Sequence, residues 1–128
     1  MHGDAHALKR RRVLIADADP TVRAILVAAL ESIDDDVETI SDPSAVLTMP
    51  GLDSFDVVIL DAGGGGLEAL TQLRARGNGI PVLIASGDMI EGSFDERTRV
   101  VMKPVPLDRL DRELMLLAAR KQIGRAHV

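Results

Sequence analysis

Short apolar runs, each ended by a polar residue, recur along the chain and restrict it to few folds. Four such runs cover residues 13–16, 57–60, 81–85 and 100–102. The polar residues that end them are Asp17, Asp61, Ser86 and Lys103. An unbroken apolar run of this length is typical of a strand buried on both faces. Residues 37–40, which follow the acidic turn at 34–36, predict a further short strand.

The segments between these runs carry apolar residues at helical spacing. Asp19 followed by Pro20 is a favourable N-cap and first turn, so a helix is predicted from there to about Ser32. We also predict a short helix over 43–49, a helix over 67–76 and a final helix over 107–122. Strands that alternate with helices favour a parallel sheet with helices on both faces.

The length of 128 residues fits one domain. We assign it to residues 11–122, between a basic N-terminal tail at 1–10 and a C-terminal tail at 123–128. The three histidines lie in these tails, so the folded part offers no histidine as a general base, and we predict that the protein is not an enzyme. They are His2, His6 and His127.

Composition excludes several other functions. Without cysteine the chain has no disulfide and no thiol nucleophile, which fits a cytoplasmic protein. A net charge of -5 and only two aromatic residues, Phe55 and Phe94, argue against nucleic-acid binding. The longest apolar run, 24–30, is too short to cross a membrane.

The polar residues that follow the strands predict a site. The carboxyl ends of parallel strands lie on one edge of a sheet, where such proteins bind ligands. That edge would bring together Asp17, Asp19, Asp61, Ser86 and Lys103. Clustered carboxylates favour Mg²⁺, and an ammonium group suits a phosphoryl oxygen. Asp61 could then attack phosphorus and form an acyl phosphate, whereas Asp19 also suits a plain helix cap.

Four consecutive glycines, 63–66, follow the third strand. Glycine loops bind phosphates in some nucleotide-binding folds, but this run lacks the spacing and the closing Lys-Ser or Lys-Thr of those motifs. It therefore predicts a tight connection between a strand and a helix.

The ordered set of segments resembles a response-regulator receiver domain. The segments are 13–20, 57–61, 80–86 and 101–104. The resemblance covers about residues 11–119 and implies an α/β, flavodoxin-like (βα)5 fold. Its doubly wound parallel sheet would have strand order 2-1-3-4-5.

The resemblance also implies the roles of the site residues. Asp61 would be the phosphoacceptor, and Ser86 and Lys103 would sense the phosphoryl group. Asp17, Asp61 and the backbone carbonyl of Gly63 would hold Mg²⁺. The Lys103–Pro104 bond is expected to be cis, as it commonly is in this family. The partner would be a sensor histidine kinase or a histidine phosphotransfer protein, with another regulator as an alternative, and the protein would be a monomer or a weak dimer.

Four departures from the family pattern stand out. Ala18 replaces the second acid of the opening pair, normally a direct metal ligand, and Asp19 is a candidate to compensate. The usual Met-Pro after the phosphoacceptor is missing, and Val100 stands where an aromatic switch residue is usual. Residues 86–98 are too few for a full fourth helix, so that helix is expected to be short or absent. The last three departures resemble the stand-alone receivers of bacterial stress and light pathways.

Three functions follow from these observations. The first is a single-domain response regulator phosphorylated at Asp61. The second is a pseudo-receiver, a module of the same fold that works without phosphorylation because Ala18 weakens the metal site. The third is a small α/β enzyme or nucleotide binder, for which the folded part offers no general base.

Overall fold

Five parallel strands form one sheet at the centre of the computed structural model, which describes the backbone of residues 10–126 and the side chains of residues 10–121. The strands are β1 (Arg12–Ala16), β2 (Asp36–Ile40), β3 (Val57–Asp61), β4 (Val82–Ser86) and β5 (Thr98–Met102). Their order in the sheet is β2-β1-β3-β4-β5. The predicted fold class and strand order are confirmed.

Three α-helices pack on the sheet. They are α1 (Pro20–Glu31), α2 (Gly66–Ala75) and α3 (Leu107–Ala126). The second predicted helix is instead a 3-10 helix, Pro43–Thr48, followed by a 3-10 turn at Leu52–Ser54. Helix α3 runs past residue 122, where we predicted its end, so residues 123–126 of the predicted tail are helical. The rest of that tail and residues 1–9 lie outside the described part of the chain.

The core lies on both faces of the sheet. Val13, Ile59 and Leu83 pack under α1 and α3 on one face, because alternate strand residues point to opposite sides. Leu14, Val58 and Ile84 pack under α2 and the 3-10 helix on the other. Four successive residues of each central strand, 13–16 in β1, 57–60 in β3 and 82–85 in β4, are therefore apolar, as the sequence predicted.

Residues 87–97, between β4 and β5, contain no helix. Met89 is largely exposed, and Ile90 packs against the core beside the half-buried Val100. The far end of the segment is fixed by Asp95, whose carboxylate accepts a hydrogen bond from Arg74 Nε at 2.9 Å. The fourth helix, which we predicted to be short or absent, is therefore absent. Few apolar contacts hold the segment between its two ends.

Candidate functional site

The sheet brings the predicted site residues to one edge. Asp61 ends β3, and Ser86 ends the neighbouring β4. Asp17 and Lys103 follow directly after β1 and β5. Because β1 and β4 flank β3, the side chains of Asp17 and Ser86 lie on either side of Asp61. The sequence prediction that these four residues share the carboxyl edge agrees with this arrangement.

Lys103 links the two carboxylates. Its Nζ donates to Asp17 Oδ2 at 2.7 Å and to Asp61 Oδ1 at 3.0 Å. The Asp17 side chain is only 4% exposed, whereas Asp61 is 19% exposed. A reagent from solvent therefore reaches the carboxylate of Asp61 more easily than that of Asp17. The buried carboxylate of Asp17 holds the ammonium group of Lys103 from the interior side.

Opposing effects act on the pKa of Lys103. Desolvation by burial lowers it, while hydrogen bonds and Coulombic attraction from Asp17 and Asp61 raise it. The attraction prevails, and the pKa of Lys103 lies above its ordinary value. The ammonium group therefore stays charged at neutral pH, as a group that binds a phosphoryl oxygen must. The Lys103–Pro104 peptide bond is cis, as predicted.

Ser86 is buried and anchors the start of the segment 87–97. Its Oγ accepts a hydrogen bond from the Asp88 backbone N–H at 3.1 Å, and its carbonyl accepts one from Lys103 N at 2.8 Å. Asp61 pairs with Ala85 in the sheet register, so Ser86 lies one residue farther toward the edge. Among the described contacts, no hydrogen bond joins Ser86 to Asp61, and the hydroxyl hydrogen remains available for an incoming group.

Asp19 caps helix α1. Its Oδ1 accepts hydrogen bonds from Thr21 N at 2.8 Å and Val22 N at 3.4 Å. Its own N–H donates to Asp17 Oδ1 at 2.9 Å. Within residues 10–121, no three His, Cys, Asp or Glu side chains are grouped to hold a metal ion. The structure thus supports Asp19 as a helix cap and does not bring its carboxylate together with those of Asp17 and Asp61.

The glycine run shapes the connection from β3 to α2. Gly64 and Gly65 adopt φ angles of +60° and +85°, which favour glycine. A Cβ atom on Gly66 would lie 1.7 Å from the carbonyl oxygen of Asp61, so no other residue fits there without movement. The glycines form a tight strand-to-helix connection, as predicted, and they let α2 begin directly beside the backbone of Asp61.

Arg23 belongs to the site, although the sequence reasoning missed it. Its Nη1 donates to the backbone carbonyl of Asp17 at 2.7 Å, from the second turn of α1. Helical spacing after Pro20 could have indicated this side chain, because it places residue 23 above the end of β1. Arg23 fixes the backbone of Asp17 and adds a second positive charge near the carboxylates.

The oxygen atoms at this edge of the sheet are of the kind that Mg²⁺ binds, but only a few of them are available as ligands. Carboxylates and carbonyls are the ligands that this ion prefers, and it keeps several waters. Asp17, Asp61 and the Gly63 carbonyl supply such oxygens, whereas Ala18 supplies none. The Gly63 carbonyl accepts a hydrogen bond from Gly66 N at 3.0 Å and has a second lone pair. These residues fit a metal ion that is weakly held in the absence of a phosphoryl oxygen.

A family model decides the relationship of this chain to known proteins. The model, described as "Response regulator receiver domain", matches residues 13–114. This chain belongs to the response-regulator receiver domains. Receiver domains are parts of two-component signal transduction systems, and they generally bind Mg²⁺ at the phosphorylation site.

Several solved structures share the fold. The Francisella response regulator 1452 receiver domain is 25% identical, with a TM-score of 0.72 over 88% of this chain and 99% of that one. A response regulator receiver domain protein from Clostridium thermocellum is 24% identical, with a TM-score of 0.71 over 88% and 98%. A sensor protein from Polaromonas sp. JS666 is 20% identical, with a TM-score of 0.74 over 88% and 98%.

Two further results bound the comparison. No curated protein matches the sequence. No helix in the described part of the chain combines the length and the apolar character that crossing a membrane requires.

Proposed function

We propose that this receiver domain is a single-domain response regulator that accepts a phosphoryl group on Asp61 from a phosphohistidine partner. The contact between Lys103 Nζ and Asp61 Oδ1 at 3.0 Å carries the proposal. It places a fixed positive charge where the oxygens of a phosphoryl group on Asp61 would develop negative charge.

The transfer itself is a displacement at phosphorus. A carboxylate oxygen of Asp61 forms the new O–P bond as the N–P bond of the partner's phosphohistidine breaks. The bonding electron pair returns to the imidazole nitrogen, which then takes a proton from water. Lys103 stabilises the transferred group through its ammonium, and the hydroxyl of Ser86 donates a hydrogen bond to another phosphoryl oxygen.

Asp17, Asp61 and the Gly63 carbonyl would hold Mg²⁺, which when bound neutralises further charge on the phosphoryl oxygens. The protein would have no substrate of its own to turn over and would act by binding other proteins in the cytoplasm, as a monomer or a weak dimer. A sensor histidine kinase or a histidine phosphotransfer protein would be the phosphoryl donor, and another regulator is a further candidate partner.

The pseudo-receiver is the second candidate function. Ala18 removes one oxygen ligand, and hydrogen bonds already occupy both oxygens of Asp17, from Lys103 and from the Asp19 N–H. A metal site of this kind favours a module that binds its partner whatever the state of Asp61. The two candidates differ in one measurable property, the formation of a covalent phosphoryl adduct.

Incubation with acetyl phosphate over a range of Mg²⁺ concentrations, followed by intact-mass spectrometry, separates them. We expect one phosphoryl adduct on the wild-type protein, none on Asp61→Asn, and an unchanged adduct on Asp53→Asn, an exposed acid at the other end of the sheet. An adduct that persists in Asp61→Asn would refute Asp61 as the acceptor. No adduct at any Mg²⁺ concentration, with either acetyl phosphate or a phosphorylated histidine phosphotransfer protein as donor, would favour the pseudo-receiver.

A further inference from the structure

A second concave site lies at the amino end of the sheet, opposite Asp61. It is a groove of about 730 Å³, formed by the segments that precede β3, β4 and β5 together with the ends of α2 and α3. Strands of five residues rise about 3.3 Å per residue, which separates the two ends of the sheet by roughly 15 Å. The groove is therefore distinct from the phosphorylation site, and its volume falls within the range of small-molecule sites.

The groove combines an apolar floor with a cationic rim. The half-buried Leu47 and Met49 form the apolar floor that a ligand can contact. Three cationic side chains, Arg76, Arg97 and Lys121, line the rim beside a single acid, Asp53. This local excess of positive charge stands out on a chain whose net charge is -5. The groove thus complements a ligand that is anionic at one end and apolar at the other.

Backbone carbonyls orient the two arginines. Arg76 Nη1 donates to the Leu47 carbonyl at 2.8 Å, and Arg97 Nη1 donates to the Gly79 carbonyl at 3.2 Å. A Cβ atom on Gly79 would lie 3.3 Å from Arg97 Nη1, so the absence of a side chain there lets the guanidinium lie against the backbone. Neither guanidinium forms an ion pair with a carboxylate of residues 10–121, in contrast to Arg74, which pairs with Asp95. Each guanidinium has five N–H donors, and one of them is used in these contacts.

Lys121 has a different part in the groove. Its ammonium donates to the carbonyls of Asp53 and Phe55, which ties the end of α3 to the turn before β3. It therefore closes one wall of the groove, and the recognition of an anion is assigned to the two arginines alone.

We propose that this groove binds a small organic phosphate, with the phosphate on Arg76 and Arg97 and the apolar part on the floor. Guanidinium groups match phosphate oxygens in fork geometry, and a phosphate offers three acceptor oxygens, enough for both arginines. The site does not require phosphorylation of Asp61. Arg97 is the last residue of the segment 87–97. A ligand bound to Arg97 would therefore contact that segment at the end opposite Ser86.

Phenyl phosphate, phenol and inorganic phosphate are suitable probes, followed by the amide NMR signals of the full chain. We expect phenyl phosphate to shift the amide signals of Gly77 and Gly79 and to bind at least about tenfold more tightly than phenol, which lacks the charge. It should also bind more tightly than inorganic phosphate, which lacks the apolar part.

Variants test the assignment. Arg76→Gln and Arg97→Gln should each weaken phenyl phosphate binding by about tenfold, since each removes a charged hydrogen-bond donor. Arg112→Gln, an exposed arginine of α3 outside the groove, should leave the affinity unchanged. Shifts confined to Gly63 and Gly87 at the carboxyl edge would overturn the proposal. Equal affinity for phenyl phosphate and inorganic phosphate, or equal affinity of all the variants, would overturn it as well.

Discussion

The close approach of Gly66 to the backbone of Asp61 is open to a direct test by Gly66→Ala. The added Cβ would lie 1.7 Å from the Asp61 carbonyl oxygen, and real Cβ contacts stay beyond 3.0 Å. The first residue of α2 and the last residue of β3 therefore have to separate by more than about 1 Å, a shift the packed surroundings resist. That separation displaces the backbone of Asp61.

The expected loss of stability follows from the size of this clash. Overpacking of a well-packed interior costs about 1–3 kcal/mol, and a displacement of this size belongs at the upper end. With an unfolding entropy of about 2.1 cal/mol/K per residue, a domain of this length loses roughly 4 °C in Tm for each kcal/mol. Gly66→Ala should therefore lower Tm by about 10 °C.

Gly87→Ala is the matched control. Gly87 has no positive φ, and nothing lies within 4 Å of a Cβ atom built there. The same substitution at this position should leave Tm unchanged or raise it slightly, because alanine reduces the freedom of the unfolded chain. Thermal unfolding followed by circular dichroism measures both variants. If the two variants unfold within about 2 °C of each other, the close approach of residue 66 to Asp61 is not present in the protein.

Three further predictions concern the metal site, the ion pair between Arg99 of β5 and Glu113 of α3, and the segment 87–97. Ala18→Asp should tighten Mg²⁺ binding by at least about tenfold, since it adds a carboxylate ligand. Asp19→Ala, which removes the helix cap, should cost about 1 kcal/mol of stability and leave the affinity unchanged. Calorimetric titration with Mg²⁺ that fails to separate the two variants would contradict this. The hydrogen bond from Arg99 holds the pKa of Glu113 below its ordinary value, although desolvation acts to raise it. The ion pair therefore stabilises the fold above the unfolded pKa of Glu113 and loses this effect as the pH falls through the lower folded value. Urea unfolding should show Glu113→Gln less stable than wild type at pH 7 and the difference shrinking below about pH 4.5, while a constant difference would speak against the pair. Beryllofluoride, a phosphoryl mimic, should increase protection from hydrogen exchange across residues 87–97, and unchanged protection with the mimic bound would refute ordering of this segment.

The strands were predictable where both of their faces are buried. Strands β1, β3 and β4 each contain four successive apolar residues, and the sequence alone indicates their positions. Strand β5 begins two residues earlier than predicted, because Thr98 and Arg99 are polar. The hydroxyl of Thr98 is buried against Arg74 and Asp95, contacts between distant residues that no local pattern indicates.

The helix ends were harder to predict. We predicted an end to α3 near residue 122, yet the helix continues through Gly124 to Ala126, since one glycine costs only about 1 kcal/mol in a helix. Residues 43–48 form a 3-10 helix because so short a segment, ended by Pro50 and Gly51, does not extend into a stable α-helix.

Four members of the site were predictable, whereas Arg23 was missed, Asp19 proved to be a helix cap, and the contacts were not predictable. Parallel topology places Asp17, Asp61, Ser86 and Lys103 on one edge whatever the details of packing. The bridge that Lys103 forms between the two carboxylates depends on the position of its side chain, which topology alone does not define. The groove at the other end was not predicted, because it is built from loops that precede strands and carry no motif.

The side chain at position 100 bears on how fast a receiver of this kind can change conformation. Val100 pairs with Ile84 in the sheet and is half-buried against the core, in the place where an aromatic switch residue is usual. A β-branched side chain is restricted at χ1, so it offers no second position to swing to. Rotamer flips take picoseconds to nanoseconds, whereas loops rearrange over nanoseconds to microseconds and local unfolding takes longer. Where Asp61 is phosphorylated, we expect its signal to be carried by the backbone of residues 87–97, at the pace of a rearranging loop and not of a turning ring.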